Sequence, residues 1–370
     1  MTEKEIAYLL SLAQVIPMNQ KYITNLMESF GSAEAAWKGE ADWDEVLSVP
    51  RDTLEKLREH KRGVEPEVVD AYRRKIGAKI TTVWDDDFPE ALTQVSNPPF
   101  FLYYFGSFPD PDRLILAVVG ARKFTDYGRD TTDRFVAELV ERANVQIVNG
   151  MAEGVDGTAL KATLRVGGHA TAVLGTGLDV IYPAMHRRLY GELKEKGCIF
   201  TEYPFGMQGI RHNFPARNRL VTGISHGVLV TEARRRSGTI HSVEHSLEQG
   251  KNVYAIPGPI YSPLSELSHY LIESGQGKFT VEVDDILEDY IDPETLKSFA
   301  PPKRLDAGSL ASNRGERSVI TALQAGRRSF DELMEVSDLT SAQLTAFLTR
   351  LELEDMLREA PGNTYMLINQ

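Results

Sequence analysis

From Leu114 onward the chain alternates short, uniformly apolar runs with amphipathic stretches. LILAVVG precedes a predicted helix over about 127–143, VQIVNG one over 155–165, and HATAVLG one over 186–196. CIFTEY, GVLVTEA and NVYAIPG continue the series, with helices predicted over 214–222 and 239–248 between them. Strands that are apolar on both sides and separated by single helices predict a mostly parallel sheet covered on both faces, a doubly wound α/β domain. Upstream, AYLLSLAQVI, YITNLMESF and SVPRDTLEKL carry helical spacing and a helix-start signal. ITTVW and PPFFLYYFG are then strand-length apolar and aromatic runs bounded by Pro and Gly. FAPPKRLDAGSLASNRG lacks periodicity and reads as a linker. Beyond it SVITALQAG, SFDELMEVSDL and SAQLTAFLTRLELEDMLREA predict three helices, and PGNTYML a turn and short strand, the pattern of a winged helix. The expected division is 1–75 helical, 76–290 α/β, 291–315 linker and 316–370 winged-helix-like.

Composition changes this picture little. Of 370 residues 42% are hydrophobic and 25% charged, close to soluble globular averages, so neither disorder nor a membrane protein is indicated. The N-terminus lacks a basic start followed by an apolar run, and no stretch approaches the roughly 20 apolar residues of a membrane span, so a cytoplasmic location without membrane contact is expected. The single cysteine, Cys198, sits in an apolar strand pattern and is expected to be inert. His241 and His245 have i, i+4 spacing, but nothing completes a metal set, and no metal is expected.

Charge matters more. A formal net charge of -12 excludes a protein that coats nucleic acid over its whole surface. A local basic face remains, because Arg211, Arg217, Arg219, Arg234, Arg235 and Arg236 fall in a span with few acids. The C-terminal helices are acidic and nearly free of Lys and Arg, which points to protein binding rather than DNA reading.

Ligands of an open parallel sheet bind beyond the C-terminal strand ends, where loops lead into helix N-termini. Five segments place unusual residues there. VVGARKFTDYG offers Gly120 and Arg122 but is not the GxGxxG fingerprint, so a dinucleotide cofactor has no support and none is expected. In NGMAEGVDGTAL, Gly150, Gly154 and Gly157 surround Asp156, either a tight turn with a helix cap or a phosphate-facing turn. AVLGTGLDVIYP repeats that logic with Gly175 and Gly177. In GIRHNFPARNRLVTGIS, Phe214 stands among His212, Asn213, Arg217, Asn218 and Arg219, which suits either a stacked base beside neutralised phosphates or a core Phe with solvated arginines. Ser237, Gly238 and Thr239 open a helix, an anion-accepting arrangement.

In this order VVGAR, GMAEGVDGTAL, AVLGTGLDVIYP, TEYPFG, NFPARNRLVTGIS, SGT and VYAIPG resemble the DNA-processing A (DprA/Smf) family over about residues 79–290. The resemblance implies a Rossmann-like domain flanked by a sterile-alpha-like helical domain and a winged helix. It implies a non-catalytic protein that binds and protects single-stranded DNA in natural transformation and recombination and loads the RecA recombinase. It also implies a homodimer, with a single-stranded-DNA-binding protein as a further partner. Carried over by position, the DNA site comprises Gly120, Arg122, Arg187, Asn213, Phe214, Arg217, Asn218, Arg219, Ser237, Gly238 and Thr239, and the dimer or partner surface comprises Leu264, Leu267, Leu271 and Ile272. The chain departs from the family pattern at His186, where YPxxN has Asn, at Leu267, Ser268 and His269, where Gly-x-Asn is usual, and at VIPMNQK, where a glycine-rich turn is common. Two other readings compete. The similar LOG phosphoribohydrolases need a catalytic Glu where this chain has Ser242, and a pure interaction adaptor would leave the α/β site idle.

Overall fold

The computed structural model describes residues 2–16, 20–40, 43–46, 49–299, 311–326, 328–354, 356–360 and 362–367. Two compact units result, Met1–Lys297 and Ser298–Gln370.

The first unit begins with helices α1 (Glu3–Ala13), α2 (Gln20–Phe30), α3 (Ala33–Lys38), α4 (Trp43–Val46), α5 (Arg51–Gly63) and α6 (Pro66–Ile76). Side-chain oxygens of Thr2 and Ser32 cap α1 and α3, and Gly77, in the left-handed region at φ 73°, ends α6. Pro17 to Asn19 of the VIPMNQK segment lie outside the described residues. Nine strands follow: β1 (Lys79–Thr82), β2 (Phe101–Gly106), β3 (Ile115–Val119), β4 (Gln146–Asn149), β5 (Ala170–Val173), β6 (Cys198–Thr201), β7 (Gly227–Val230), β8 (Asn252–Ala255) and β9 (Lys278–Phe279). They form one sheet of order β1-β2-β6-β5-β4-β3-β7-β8-β9. Pairing is parallel from β6 to β9, while β1–β2 and β2–β6 are antiparallel.

Strand alternation decides which helices cover which face. Ala117 and Val119 of β3 pack in one core with Leu220, Val221 and Ile224 of α10 (Asn213–Ile224), Val243 of α11 (Thr239–Glu248) and Leu267 and Leu271 of α12 (Glu266–Glu273). Leu116 and Val118 pack in another, with Phe135, Val136, Leu139 and Val140 of α7 (Asp126–Ala143), Val155, Ala159 and Ala162 of α8 (Val155–Arg165) and Ile286 and Leu287 of α13 (Asp284–Leu287). The sheet is therefore doubly wound, as the apolar runs predict. At its β2–β6 end, Phe101, Tyr103 and Ile199 join Leu189 and Leu193 of α9 (Arg187–Lys196) and the N-terminal helices' Leu9, Leu12, Ile16 and Leu57 in a single continuous core. The helical bundle is thus fused to the α/β sheet through shared apolar packing. Cys198 is buried in β6, and burial pushes its thiol pKa up, which keeps it a thiol.

Within the expected linker, α14 spans Pro293–Ser298 and residues 300–310 lie outside the described residues. The second unit contains α15 (Arg314–Gln324), β10 (Arg328–Ser329), α16 (Phe330–Val336), α17 (Ser341–Leu353), β11 (Leu357–Ala360) and β12 (Thr364–Leu367). Reciprocal capping boxes start α16 at Ser329 and Glu332 and α17 at Thr340 and Gln343. The third predicted helix ends at Leu353 and not at Ala360. Residues 357–360 instead pair antiparallel with β12, because wing formation overrides their local helix propensity. No helix among the described residues is long and apolar enough to cross a membrane.

Candidate functional site

After β3 the chain crosses to β4 on one side, and after β7 it crosses to β8 on the other. The C-terminal ends of β3 and β7 therefore flank the topological switch point, where open α/β sheets hold ligands. A cleft of about 930 Å³ opens there, lined by the loops after β3, β4 and β7, by the segment leading into α10 and by α10 itself.

Two carboxylates around it are already engaged by the protein, one at the start of α7 and one in the loop before α8. The buried Glu232 carboxylate accepts from the Thr125 N–H at 2.8 Å and the Thr125 hydroxyl at 2.7 Å at the start of α7. Asp156 Oδ2 accepts from the N–H groups of Gly150 at 3.1 Å and Ala152 at 3.3 Å beside α8. The start of α11 differs. Its cap, Gly238, offers no side chain, the Ser237 hydroxyl is buried without a partner among the described residues, and Thr239 Oγ1 donates to the Gly120 carbonyl at 3.1 Å. Ser237 to Thr239 thus leave the start of α11 without a side-chain cap on the cleft wall, an arrangement able to accept an anion.

The floor is built from α10. Phe214 is half-buried, its ring tilted against Tyr182 at 5.1 Å between centroids, with the Arg122 guanidinium 6.0 Å from its centroid. Arg217 is only 4% exposed, donates to the carbonyls of Gly150 and Val173, and has its pKa lowered to about 10 by burial, so it remains cationic. Burial also raises Asp156 to about 6, against the pull of Arg217 and of its two N–H donors. Asn218 lies beside Arg217 on the cleft wall, and among the described lining residues Asp156 is the only carboxylate.

These positions correct several expectations. Arg219 is 5% exposed and clamped bidentately by Glu202, at 2.5 and 2.7 Å, while its remaining donors take the Ser96 and Asn97 carbonyls. It has no donor left for a phosphate. Arg217 lines the cleft but is buried, with Nη1 on the Gly150 and Val173 carbonyls and Nε on Asn218 Oδ1, and Asn213 is buried against the Gly175 carbonyl at 3.3 Å. The glycines are mainly close-approach positions. A Cβ on Gly150 would strike the Arg217 guanidinium, one on Gly175 the Phe214 ring, and one on Gly177 the Pro204 carbonyl. Gly154 adopts φ 83° where its backbone meets Ala121. Gly175 and Gly177 are buried behind the aromatic floor rather than facing a phosphate. Gly120 lines the cleft but is packed against Val155 and Glu232. Arg187, exposed at the start of α9, is not among the lining residues.

Two of the four residues expected at a partner surface are not available to one. Leu267 and Leu271 are fully buried in the chain's own core, the Leu264 carbonyl accepts from the Ala233 N–H at 2.7 Å, and Ile272 is half-buried.

The rim carries exposed charge. Arg122, Lys123, Arg211, Arg234 and Arg236 line the cleft, are exposed, and form no ion pair among the described residues. Arg235 instead stacks over the Tyr270 ring at 4.0 Å. Sequence reasoning assigned only Arg122 of these five to the site. Lys123 and Tyr182 went unnoticed, although one adjoins Arg122 and the other stands in the IYP string. Ser242 is buried in the cleft wall, and Glu244 is exposed and paired with His241 at 3.1 Å, so neither supplies a carboxylate there. Among the described residues no group of three or more His, Cys, Asp or Glu is placed to hold a metal.

Comparison with known proteins agrees with this layout. The profile described as DNA recombination-mediator protein A matches residues 79–291, which hold the whole sheet and cleft. The chain belongs to the DNA recombination-mediator protein A family. A second profile, the DprA winged helix domain, matches residues 301–363. Among the family's members, Protein Smf of Escherichia coli is 35% identical over 74% of each chain, and Protein Smf of Synechocystis is 28% identical over 99% of each. The solved structure of DNA processing protein A from Streptococcus pneumoniae superposes with TM-score 0.66 at 30% identity, covering 79% of this chain and 99% of that one. That from Helicobacter pylori, described for its single-stranded DNA binding mode, gives 0.52 at 27% identity, covering 60% and 98%.

Proposed function

We propose that the cleft binds single-stranded DNA, with a base stacked on Phe214 and Tyr182 and phosphates held by the rim cations and the α11 N-terminus. The observation that carries this is the combination of five exposed cations that form no ion pair among the described residues with an aromatic pair on the cleft floor. Stacking on such a floor requires an unpaired base and tolerates any of the four. The single-stranded DNA binding mode of the Helicobacter pylori relative supports the same reading.

Family membership supports a wider role in the same proposal: protecting incoming DNA in the cytoplasm during transformation and loading the RecA recombinase, without a catalytic step. RecA and a second copy of the chain are the partners, on surfaces other than the buried Leu267 and Leu271. The winged-helix unit fits protein binding better than DNA reading. Helix α17 contains no lysine, and its Arg350 pairs with Glu316 at 3.1 Å. Fluorescence titration with single-stranded and duplex oligonucleotides of equal length is the test. The single strand binds more tightly and with little sequence preference; equal affinity for duplex overturns the reading.

A further inference from the structure

The segment between β6 and α10 brings Gly209 and Arg211 to the cleft rim and folds over the floor, since a Cβ on Gly209 would strike the tip of the Phe214 ring. Its base is tied down by two neighbours. The Gly177 N–H donates to the Met207 carbonyl at 2.8 Å, and Asp179 Oδ1 accepts from the Gly206 N–H at 2.7 Å. The other oxygen of Asp179 accepts from the Tyr72 hydroxyl of α6 at 2.9 Å, a bond that also raises the Tyr72 pKa. The Phe205 ring sits between Tyr72, edge-on at 5.6 Å, and Tyr103 of β2 at 4.7 Å. One carboxylate and one aromatic ring therefore link the N-terminal helical bundle to the segment that carries a rim cation.

We propose that Tyr72 is a positioning residue for the cleft: through Asp179 and Phe205 the helical bundle holds residues 204–212 so that Arg211 stands over the aromatic floor. The bundle thereby strengthens DNA binding without touching DNA. Its own surface need carry no DNA site, and its shared core with the sheet makes it a rigid anchor for the clamp. The inference rests on the single-stranded DNA reading of the cleft.

The test uses the full chain and a fluorescent single-stranded oligonucleotide, with hydrogen–deuterium exchange over residues 204–212 as a second readout. Tyr72→Ala weakens binding about fivefold and speeds exchange in that segment, and the binding loss disappears when Arg211→Ala is already present, because coupled residues are non-additive. Tyr72→Phe, which keeps the ring against Phe205, recovers part of the affinity and provides a mild variant should Tyr72→Ala not fold. A folded Tyr72→Ala protein with wild-type affinity, or a loss undiminished in the Arg211→Ala background, overturns the proposal. A wild-type chain that does not bind single-stranded DNA overturns the reading of the cleft instead. In that case unchanged exchange over 204–212 in Tyr72→Phe still rejects the clamp.

Discussion

The floor and the rim of the cleft use the same residue type in opposite ways. On α10, the helix that builds the floor, Arg217 and Arg219 are buried and held by main-chain carbonyls, Arg219 also by Glu202 on the side away from the cleft lining. On the rim, Arg122, Arg211, Arg234 and Arg236 are exposed and form no ion pair among the described residues. A buried guanidinium that is fully hydrogen-bonded builds shape; an exposed one with no partner is available to a phosphate. A dense arginine string in a sequence therefore marks the neighbourhood of an anion site without showing which arginines reach the anion.

The largest difference should appear in stability. Arg219→Ala leaves the partly buried Glu202 without its partner and empties a buried site, and removing one member of a fully buried pair costs about 3–5 kcal/mol, an upper bound here. Thermal or urea unfolding of this variant should shift markedly, whereas Arg234→Ala should unfold like the wild type. Equal unfolding midpoints for the two would erase the distinction between floor and rim.

Next in size is the aromatic floor. Phe214→Ala removes a stacking surface worth on the order of 1–3 kcal/mol of single-stranded DNA affinity. Because Phe214 also backs onto Gly175 and Gly209, the variant's melting temperature must be measured alongside. A folded Phe214→Ala protein that binds as tightly as the wild type would remove the base from the floor.

A smaller effect is expected from pH. Burial raises Asp156 from its ordinary 3.8 to about 6, so the folded chain keeps this proton longer than the unfolded chain does. As pH rises from about 4 to 6, this group therefore lowers stability, and it adds a negative charge beneath the anion site. Single-stranded DNA affinity should fall a few-fold, roughly, as pH rises through 6, in keeping with one screened charge in the cleft. Asp156→Asn should flatten that part of the profile; an unchanged profile would show that the carboxylate does not act on the ligand.

Much of the fold was legible because uniformly apolar runs such as LILAVVG and VQIVNG admit few other structures than buried parallel strands. That the site lies at the C-terminal strand ends was legible too, since the glycine and arginine segments recur there, but the switch point itself needs the strand order. Side-chain direction was not. Arg217, Arg219 and Phe214 share one helix turn and a half, and only tertiary packing decides that Phe214 faces the cleft while Arg219 turns to Glu202. The leucines of α12 show the same limit, because helical spacing predicts an apolar face but not whether the chain's own sheet or a second molecule covers it. Tyr182, Lys123 and the Tyr72–Asp179 bond depend on contacts between distant segments, which no local pattern reports.

The division between floor and rim is tested most directly by the salt dependence of single-stranded DNA binding. If the rim cations carry the phosphates, replacing Arg122, Arg211, Arg234 or Arg236 singly with Ala makes the slope of log affinity against log salt shallower by about 0.7 each. Phe214→Ala, which removes no charge, leaves that slope unchanged while weakening binding. Folded rim variants that keep both the wild-type slope and the wild-type affinity would contradict the assignment of the phosphates to the rim.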